Sequence, residues 1–188
     1  NKHGELGIGH KENVFELTPW NAYNENIEIK TIYNGYQHTI ISTNDNKYLC
    51  FGENSSGECG IIEISSQITK PAENKYFEKN TMHIKNIYTS SFASRTIWHT
   101  KDDQIYVNGS ENYNSCGMGY HDNILSPTLI KDSPPLIIDI ANGYHHTLIL
   151  TSFAIYPDTI FRILSVWSES HKNSKLIIPN DVCIMIAT

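Results

Sequence analysis

The side chains best equipped for chemistry in this sequence are four cysteines, Cys50, Cys59, Cys116 and Cys183, and the histidines of two His-Thr pairs, His38-Thr39 and His146-Thr147. Thiolates and imidazoles hold metals or act as nucleophile and base, but each task needs partners at a set spacing. No two cysteines form a C-x-x-C pair, which argues against a zinc ribbon or a thioredoxin-like centre. No carboxylate or thiolate recurs beside the His-Thr pairs, so they read as structural: an imidazole bridging backbone groups, then a threonine suited to a pleated surface. Asp102-Asp103 offers paired carboxylates, yet it sits in what reads as a hairpin turn, where aspartate favours the backbone geometry. Gly7-Ile8-Gly9-His10 lacks the rest of a dinucleotide-binding fingerprint, and no helical pattern follows it. Neither a Gly-Lys-Ser/Thr phosphate loop nor a Gly-x-Ser-x-Gly elbow occurs. The sequence therefore predicts no catalytic, cofactor or metal site, and the chain is expected not to be an enzyme.

Composition narrows the partners. Of 188 residues, 39% are hydrophobic and 18% charged, which suits a globular chain rather than a disordered one. The net charge is −6 with no dense Lys/Arg run, which disfavours binding to a phosphate backbone. The apolar runs, such as 136–138 and 184–186, fall far below the roughly 18 residues of a membrane span. The four cysteines read as reduced and structural, which suits a cytoplasmic or nuclear setting. The sequence opens on Asn1 rather than methionine, so it is expected to be a fragment, and no targeting signal is read from it.

What organises the chain is repetition. Residues 1–7 (NKHGELG), 54–60 (NSSGECG) and 113–117 (YNSCG) resemble one another and end on Gly7, Gly60 and Gly117, spaced by 53 and 57 residues. A second marker shares that period: 32–39 (IYNGYQHT), 87–94 (IYTSSFAS) and 140–147 (IANGYHHT), whose starts are 55 and 53 residues apart. A third pairs 48–52 (YLCFG) with 105–109 (IYVNG), each after a polar turn. Aligned without gaps, the middle copy of the second marker carries Ser90 for glycine and Ala93 for histidine, which predicts a looser or differently turned unit. Short aromatic and β-branched runs between Asn, Asp and Gly predict strands near 14–20, 27–33, 37–43 and 47–51, with a helical turn near 72–80. Four strands in about 50 residues is the unit of a propeller blade. The repeated glycines Gly4, Gly7, Gly52, Gly57 and Gly60 are expected in tight turns near a propeller axis.

These markers resemble the repeat of the regulator of chromosome condensation family, which runs roughly Ile-x-x-Gly-x-x-His-Ser/Thr, a turn, then Trp-Gly-x-Asn-x-x-Gly-Gln-Leu-Gly. The stretch 52–60 follows its second half, with Phe51 in the tryptophan's place. The resemblance implies an all-β fold: a partial β-propeller of three to four four-stranded blades from a ring of about seven. It divides the chain into three repeats over 1–152, the first begun mid-repeat, and a degenerate, truncated fourth over 153–188, where 181–188 aligns with the lead-in strand at 137–142. The structural signature maps to Gly4, Gly7, Gly35, His38, Gly52, Asn54, Gly57, Gly60, Gly109, Gly117, Gly143 and His146. In one plant member of the family the variable pair inside Gly-x-x-His projects from one face and builds a protein interface. Here that pair is Tyr36-Gln37, Ser91-Phe92 and Tyr144-His145, so Tyr36, Gln37, Phe92, Tyr144 and His145 are the expected partner-binding residues. The resemblance implies a non-catalytic protein-interaction module, without cofactor, completed by further blades of a parent chain. The alternatives are a guanine-nucleotide exchange factor for a small GTPase and the propeller of a large ubiquitin ligase.

Overall fold

The computed structural model describes residues 1–21, 27–64, 66–110, 122–131, 133–144 and 146–152, and the strand Cys183–Ala187 as backbone. Strands β1 (Ile29–Asn34), β2 (His38–Thr43), β3 (Tyr48–Gly52) and β4 (Ile68–Glu73) form an antiparallel sheet in that order. A short helix, α1 (Tyr76–Lys79), leads to a second such sheet, β5 (Ile84–Ser90), β6 (Ala93–Thr100), β7 (Ile105–Gly109) and β8 (Ile124–Leu129). The third sheet holds β9 (Ile137–Asn142), β10 (Thr147–Thr151) and β11 (Cys183–Ala187), with β10 in the middle. Strand β11 pairs with β10, as a third strand does, whereas the sequence comparison aligned 181–188 with a first strand. First strands of successive sheets touch, β1 against β5 and β5 against β9, so the sheets stack as blades around a common inner side.

The predicted strands at 27–33, 37–43 and 47–51 correspond to β1, β2 and β3, and the helical turn to α1. Residues 14–20 are not a strand. Counted from the glycine-rich loop, they match β4 and β8, whose strand form goes with pairing to the strand just before the loop, β3 and β7. The two fourth strands share one more feature. Pro71 and Pro127 occupy equivalent registers in β4 and β8, and removing an N–H there blunts an outer edge that would otherwise recruit another strand.

The glycine-rich loops repeat in atomic detail. Gly4 and Gly57 have φ of 87° and 88°, and Gly7 and Gly60 have 63° and 64°, conformations that a side chain strains. Asn1 Oδ1 accepts from Leu6 N at 3.0 Å, and Asn54 Oδ1 from Cys59 N at 2.8 Å. Their amide nitrogens donate forward, Asn1 to the carbonyls of His10 and Glu12, Asn54 to those of Ile61 and Ile64. These loops do not crowd the inner side. They lie between blades, one to the outer strands of the next: a Cβ on Gly57 would stand 2.5 Å from Leu125 Cα in β8, and one on Gly60 3.0 Å from Asn108 Cγ in β7. The expected position near the axis is thereby corrected. The connection between third and fourth strands reaches outward, while the first strands occupy the inner side.

The seam between the first two blades is held by polar and aromatic groups together. Thr96 of β6 donates its hydroxyl to the Glu58 carbonyl at 2.8 Å, as Thr39 of β2 does to Glu5 one repeat earlier. Asn108 Nδ2 donates to the carbonyls of Gly57 and Glu58 at 2.6 and 2.9 Å. Helix α1 drops Phe77 into the same seam, fully buried, with its ring 4.7 Å from that of Trp98 and near Tyr48 and Tyr106. Trp98 Nε1 donates to Asn108 Oδ1 at 2.5 Å, so the indole packs without an orphaned donor.

His38 lies in the seam as well. Because the Thr96 hydroxyl hydrogen goes to Glu58, His38 Nε2 must be the donor in its 3.0 Å contact with Thr96 Oγ1, which fixes a neutral tautomer. Burial pushes the His38 pKa down to about 4. Its ring lies flat over Gly35, where a Cβ would stand 2.0 Å from Cε1. Replacing Gly35 with Ala is expected to destabilise the chain by about 1–3 kcal/mol through overpacking. Adding His38→Ala in the double variant removes the clash, so the pair costs less than the sum of the singles in urea titrations. Additive costs would mean that the ring does not dictate the glycine.

Glu53 supplies a second pH-sensitive link. Its burial raises the pKa, but hydrogen bonds from Gln67, His3 and Ser55 outweigh that and hold it at about 2. A histidine held below 6.5 loses stability as pH falls from 6.5 toward 4, because the unfolded chain takes the proton first. A carboxyl held below 4.5 gives stability that is complete above 4.5 and lost as pH falls toward 2. His38→Gln is therefore expected to flatten the upper part of the curve of Tm against pH, and Glu53→Gln the lower part. Parallel curves for wild type and both variants would refute the assignment.

Candidate partner-binding face

The turns joining first to second strands carry the variable residues, and the middle blade builds that turn differently from the other two. In the first, Gly35 N donates to His38 O at 2.8 Å; in the third, Gly143 N donates to His146 O at 2.9 Å. A Cβ on Gly143 would stand 2.4 Å from His146 Cε1, so the glycine-under-imidazole arrangement recurs. His146 is exposed, whereas His38 is covered by Thr96 of the next blade.

The middle turn overturns the ungapped alignment. Registers with the first strand (Ile87↔Trp98, like Ile32↔Ile41) and with the third (Arg95↔Gly109, like His38↔Gly52) place Arg95, not Ala93, at the histidine position. The hairpin is two residues longer, closed by Ser90↔Ala93, and the Ser90 hydroxyl accepts from Phe92 N at 3.2 Å. With no imidazole beneath it, position 90 has room for a side chain. The signal was present in the sequence: Arg95-Thr96 repeats the form of His38-Thr39 once two residues are allowed as an insertion.

Arg95 is buried and reaches the next blade. Its Nε donates to Asn142 Oδ1 at 2.8 Å, and its remaining nitrogens to the carbonyls of Gly143, Tyr144 and His146 at 2.7–3.1 Å. A planar guanidinium can satisfy a whole turn in this way, which an ammonium cannot. Tyr36 N donates to Ala93 O at 3.4 Å, and Thr89 Oγ1 to Asn34 O at 2.9 Å, so the first and second turns are joined too.

On this linked frame Tyr36, Phe92 and Tyr144 are 52%, 67% and 60% exposed. Gln37 is half-buried, and its carbonyl accepts from Glu53 N at 2.7 Å beside Gly52, which leaves it partly structural. His145 and Gly117 lie outside the described residues. Gly109 repeats Gly52, with φ of 112° against 104° and its Cα close beneath Arg95.

Other groups singled out in the sequence are absorbed by packing. Cys50 and Cys59 are free and fully buried, and burial pushes the Cys59 thiol well above its ordinary range, the opposite of a reactive cysteine. Leu6, at the position equivalent to Cys59, is half-exposed. Asn54, a residue of the repeat signature, is buried and hydrogen-bonded within its own loop. Asp103 takes the left-handed position of its turn (φ 59°) and binds His99, Lys85 and the Leu136 amide, while Asp102 stands exposed. Among the described residues no three His, Cys, Asp or Glu side chains converge as metal ligands, and no helix is long and apolar enough to cross a membrane.

No family model matches the sequence. An RCC1 repeat-containing protein of Dictyostelium discoideum is 30% identical over 141 residues, covering 66% of this chain and 28% of that protein. A bifunctional serine/threonine-protein kinase/NEDD4-like E3 ubiquitin-protein ligase of the same organism is 25% identical over 162 residues, 79% of this chain and 8% of the relative. The secretion-regulating guanine nucleotide exchange factor of Bos taurus is 24% identical over 155 residues, 81% of this chain and 32% of the relative. The chain thus spans under a third of the length of each curated relative. Among solved structures, Prp20p of Saccharomyces cerevisiae superposes with a TM-score of 0.67 at 20% identity, over 82% of this chain and 38% of that one. Human WBSCR16 superposes with a TM-score of 0.65 at 13% identity, over 80% and 38%. With its glycine-loop markers, its blade-by-blade sheets and these relatives, the chain is similar to proteins of the regulator of chromosome condensation repeat family, and its fold is that of part of their β-propeller.

Proposed function

We propose that the chain is a non-catalytic protein-interaction module whose contact surface is the face carrying Tyr36, Phe92 and Tyr144. The supporting observation is their exposure on three successive turns that are hydrogen-bonded to one another. Ordered aromatic groups at a solvent face make good anchors, because they bury a large area at small cost in side-chain freedom. Gln37 and His145 belong to the same proposed surface. The net charge of −6 favours proteins over nucleic acid as partners, in the cytoplasm or nucleus. The three repeats over 1–152 and the degenerate fourth over 153–188 are part of this reading, with the rest of the propeller supplied by the parent chain.

A second reading is nucleotide exchange on a small GTPase, favoured by the name of the bovine relative and by Prp20p, whose binding to Gsp1p and histones is described with its structure. A third makes the chain the propeller of a ubiquitin ligase, favoured by the kinase/ligase relative. A photoreactive residue placed at 36, 92 or 144 of the parent protein, against one at Asn44 or Lys101 in the turns between second and third strands, tests the face. Crosslinks to a partner from the first set only are expected; equal labelling from the second set would contradict the reading. Exchange measured on purified small GTPases then separates the module from the exchange factor.

A further inference from the structure

We propose that Asn34 is a site of spontaneous deamidation, and that its isoaspartate product unfastens the first hairpin from the second. The site depends on the geometry of the turn alone, whether or not the face above it binds a partner. Asparagine is chemically labile, most of all before glycine, whose missing side chain leaves the next amide free to approach the carboxamide. The chain has three such pairs, Asn34-Gly35, Asn108-Gly109 and Asn142-Gly143. Their covalent chemistry is the same, so the fold sets which of them reacts.

Asn108 is sealed: its side chain is fully buried, Oδ1 accepts from Trp98 Nε1, and Nδ2 donates to the carbonyls of Gly57 and Glu58. Asn142 is half-buried, its Oδ1 is held by Arg95 Nε at 2.8 Å, and its amide nitrogen is closed off from solvent. Asn34 is exposed, and its side chain makes no hydrogen bond among the described residues. The attacking amide does not separate the two hairpins. Gly35 N is tied to His38 O at 2.8 Å, much as Gly143 N is to His146 O at 2.9 Å. What differs is the freedom of the carboxamide to turn onto that amide. A buried, bonded side chain reacts only when the structure around it opens, which costs a share of the global stability.

In the reaction Gly35 N loses its proton to a solvent base and attacks Asn34 Cγ. The Cγ–Nδ2 bond breaks, ammonia leaves with a proton taken back from solvent, and a cyclic imide joins the two residues. Water then opens the imide. Opening at Cγ gives aspartate, whereas opening at the backbone carbonyl gives isoaspartate, in which the chain runs through Cγ and is one carbon longer. The turn has little room for that carbon. Asn34 O accepts from Thr89 Oγ1 at 2.9 Å, and in isoaspartate this oxygen belongs to a pendant carboxylate. Gly35 lies so close beneath His38 that a Cβ there would stand 2.0 Å from Cε1, so a shifted backbone meets the ring. Tyr36 N, bound to Ala93 O at 3.4 Å, moves with it.

The test keeps the folded full chain in mildly alkaline buffer and follows all three pairs by peptide mapping, with isoaspartate scored by enzymatic methylation. Asn34 is expected to convert roughly tenfold faster than Asn108 and Asn142, and the three rates to converge in concentrated urea. Equal rates in the folded chain, a lead for Asn108 or Asn142, or an Asn34 that reacts only in urea would overturn the site. Asn34→Asp supplies the charge without the extra carbon and is expected to melt with the unmodified chain, while the chromatographically isolated isoaspartate form melts lower. Equal melting of Asn34→Asp and the isoaspartate form would overturn the unfastening.

Discussion

The structure depends on how one blade's glycine-rich loop is seated on the next blade's second and third strands. The loop bends through backbone conformations that only glycine enters readily, and this leaves the carbonyls of Gly57 and Glu58 aimed into the seam. The Gly57 carbonyl also accepts from Gly60 N within the loop, whereas the Glu58 carbonyl, unpaired there, would carry the full penalty of a buried acceptor. Thr96 and Asn108 from the following blade both donate to the Glu58 carbonyl and remove that penalty, and both side chains are fully buried in doing so. The seat therefore ties the position of one blade to the side chains of the next. Apolar packing of Phe77, Trp98 and Tyr48 fills the same seam but specifies the angle less sharply.

Within that frame the repeats tolerate changes that come in compensating sets. Where histidine occupies the start of the second strand, its ring lies over a glycine. Where arginine occupies it, the glycine gives way to serine and the hairpin lengthens by two residues. The two solutions also bond differently across the seam: His38 reaches a hydroxyl on β6, while Arg95 reaches a cluster of carbonyls in the turn of the third blade.

Much of this was legible in the sequence, for stated physical reasons. Glycine at Gly4, Gly7, Gly57 and Gly60 marks backbone that other residues enter at a cost, so the period of those glycines is the period of the fold. The strands β1–β3 follow from short β-branched and aromatic runs between turn residues. Residues 14–20 have the same character and still form no strand, because strand formation needs a paired neighbour as well as propensity. Arg95 escaped because an ungapped comparison hid a two-residue insertion, although Arg95-Thr96 and Gly109 keep the register on either side of it. Which of the repeated side chains lie buried could not be read from the local sequence alone: His38 is covered by Thr96 of the next blade, a residue 58 positions further along the chain.

The most direct test of the loop-on-strand seat is hydrogen exchange, resolved by residue, in Thr96→Val. This substitution keeps the shape of the side chain and removes one hydroxyl. Amides of the preceding blade's loop, Gly57, Cys59 and Gly60, are expected to lose protection, while the β6–β7 ladder keeps most of its own. Loss confined to β6 and its neighbours in the same sheet, with the loop unchanged, would mean that each blade holds its loop unaided and that the seat does not join them.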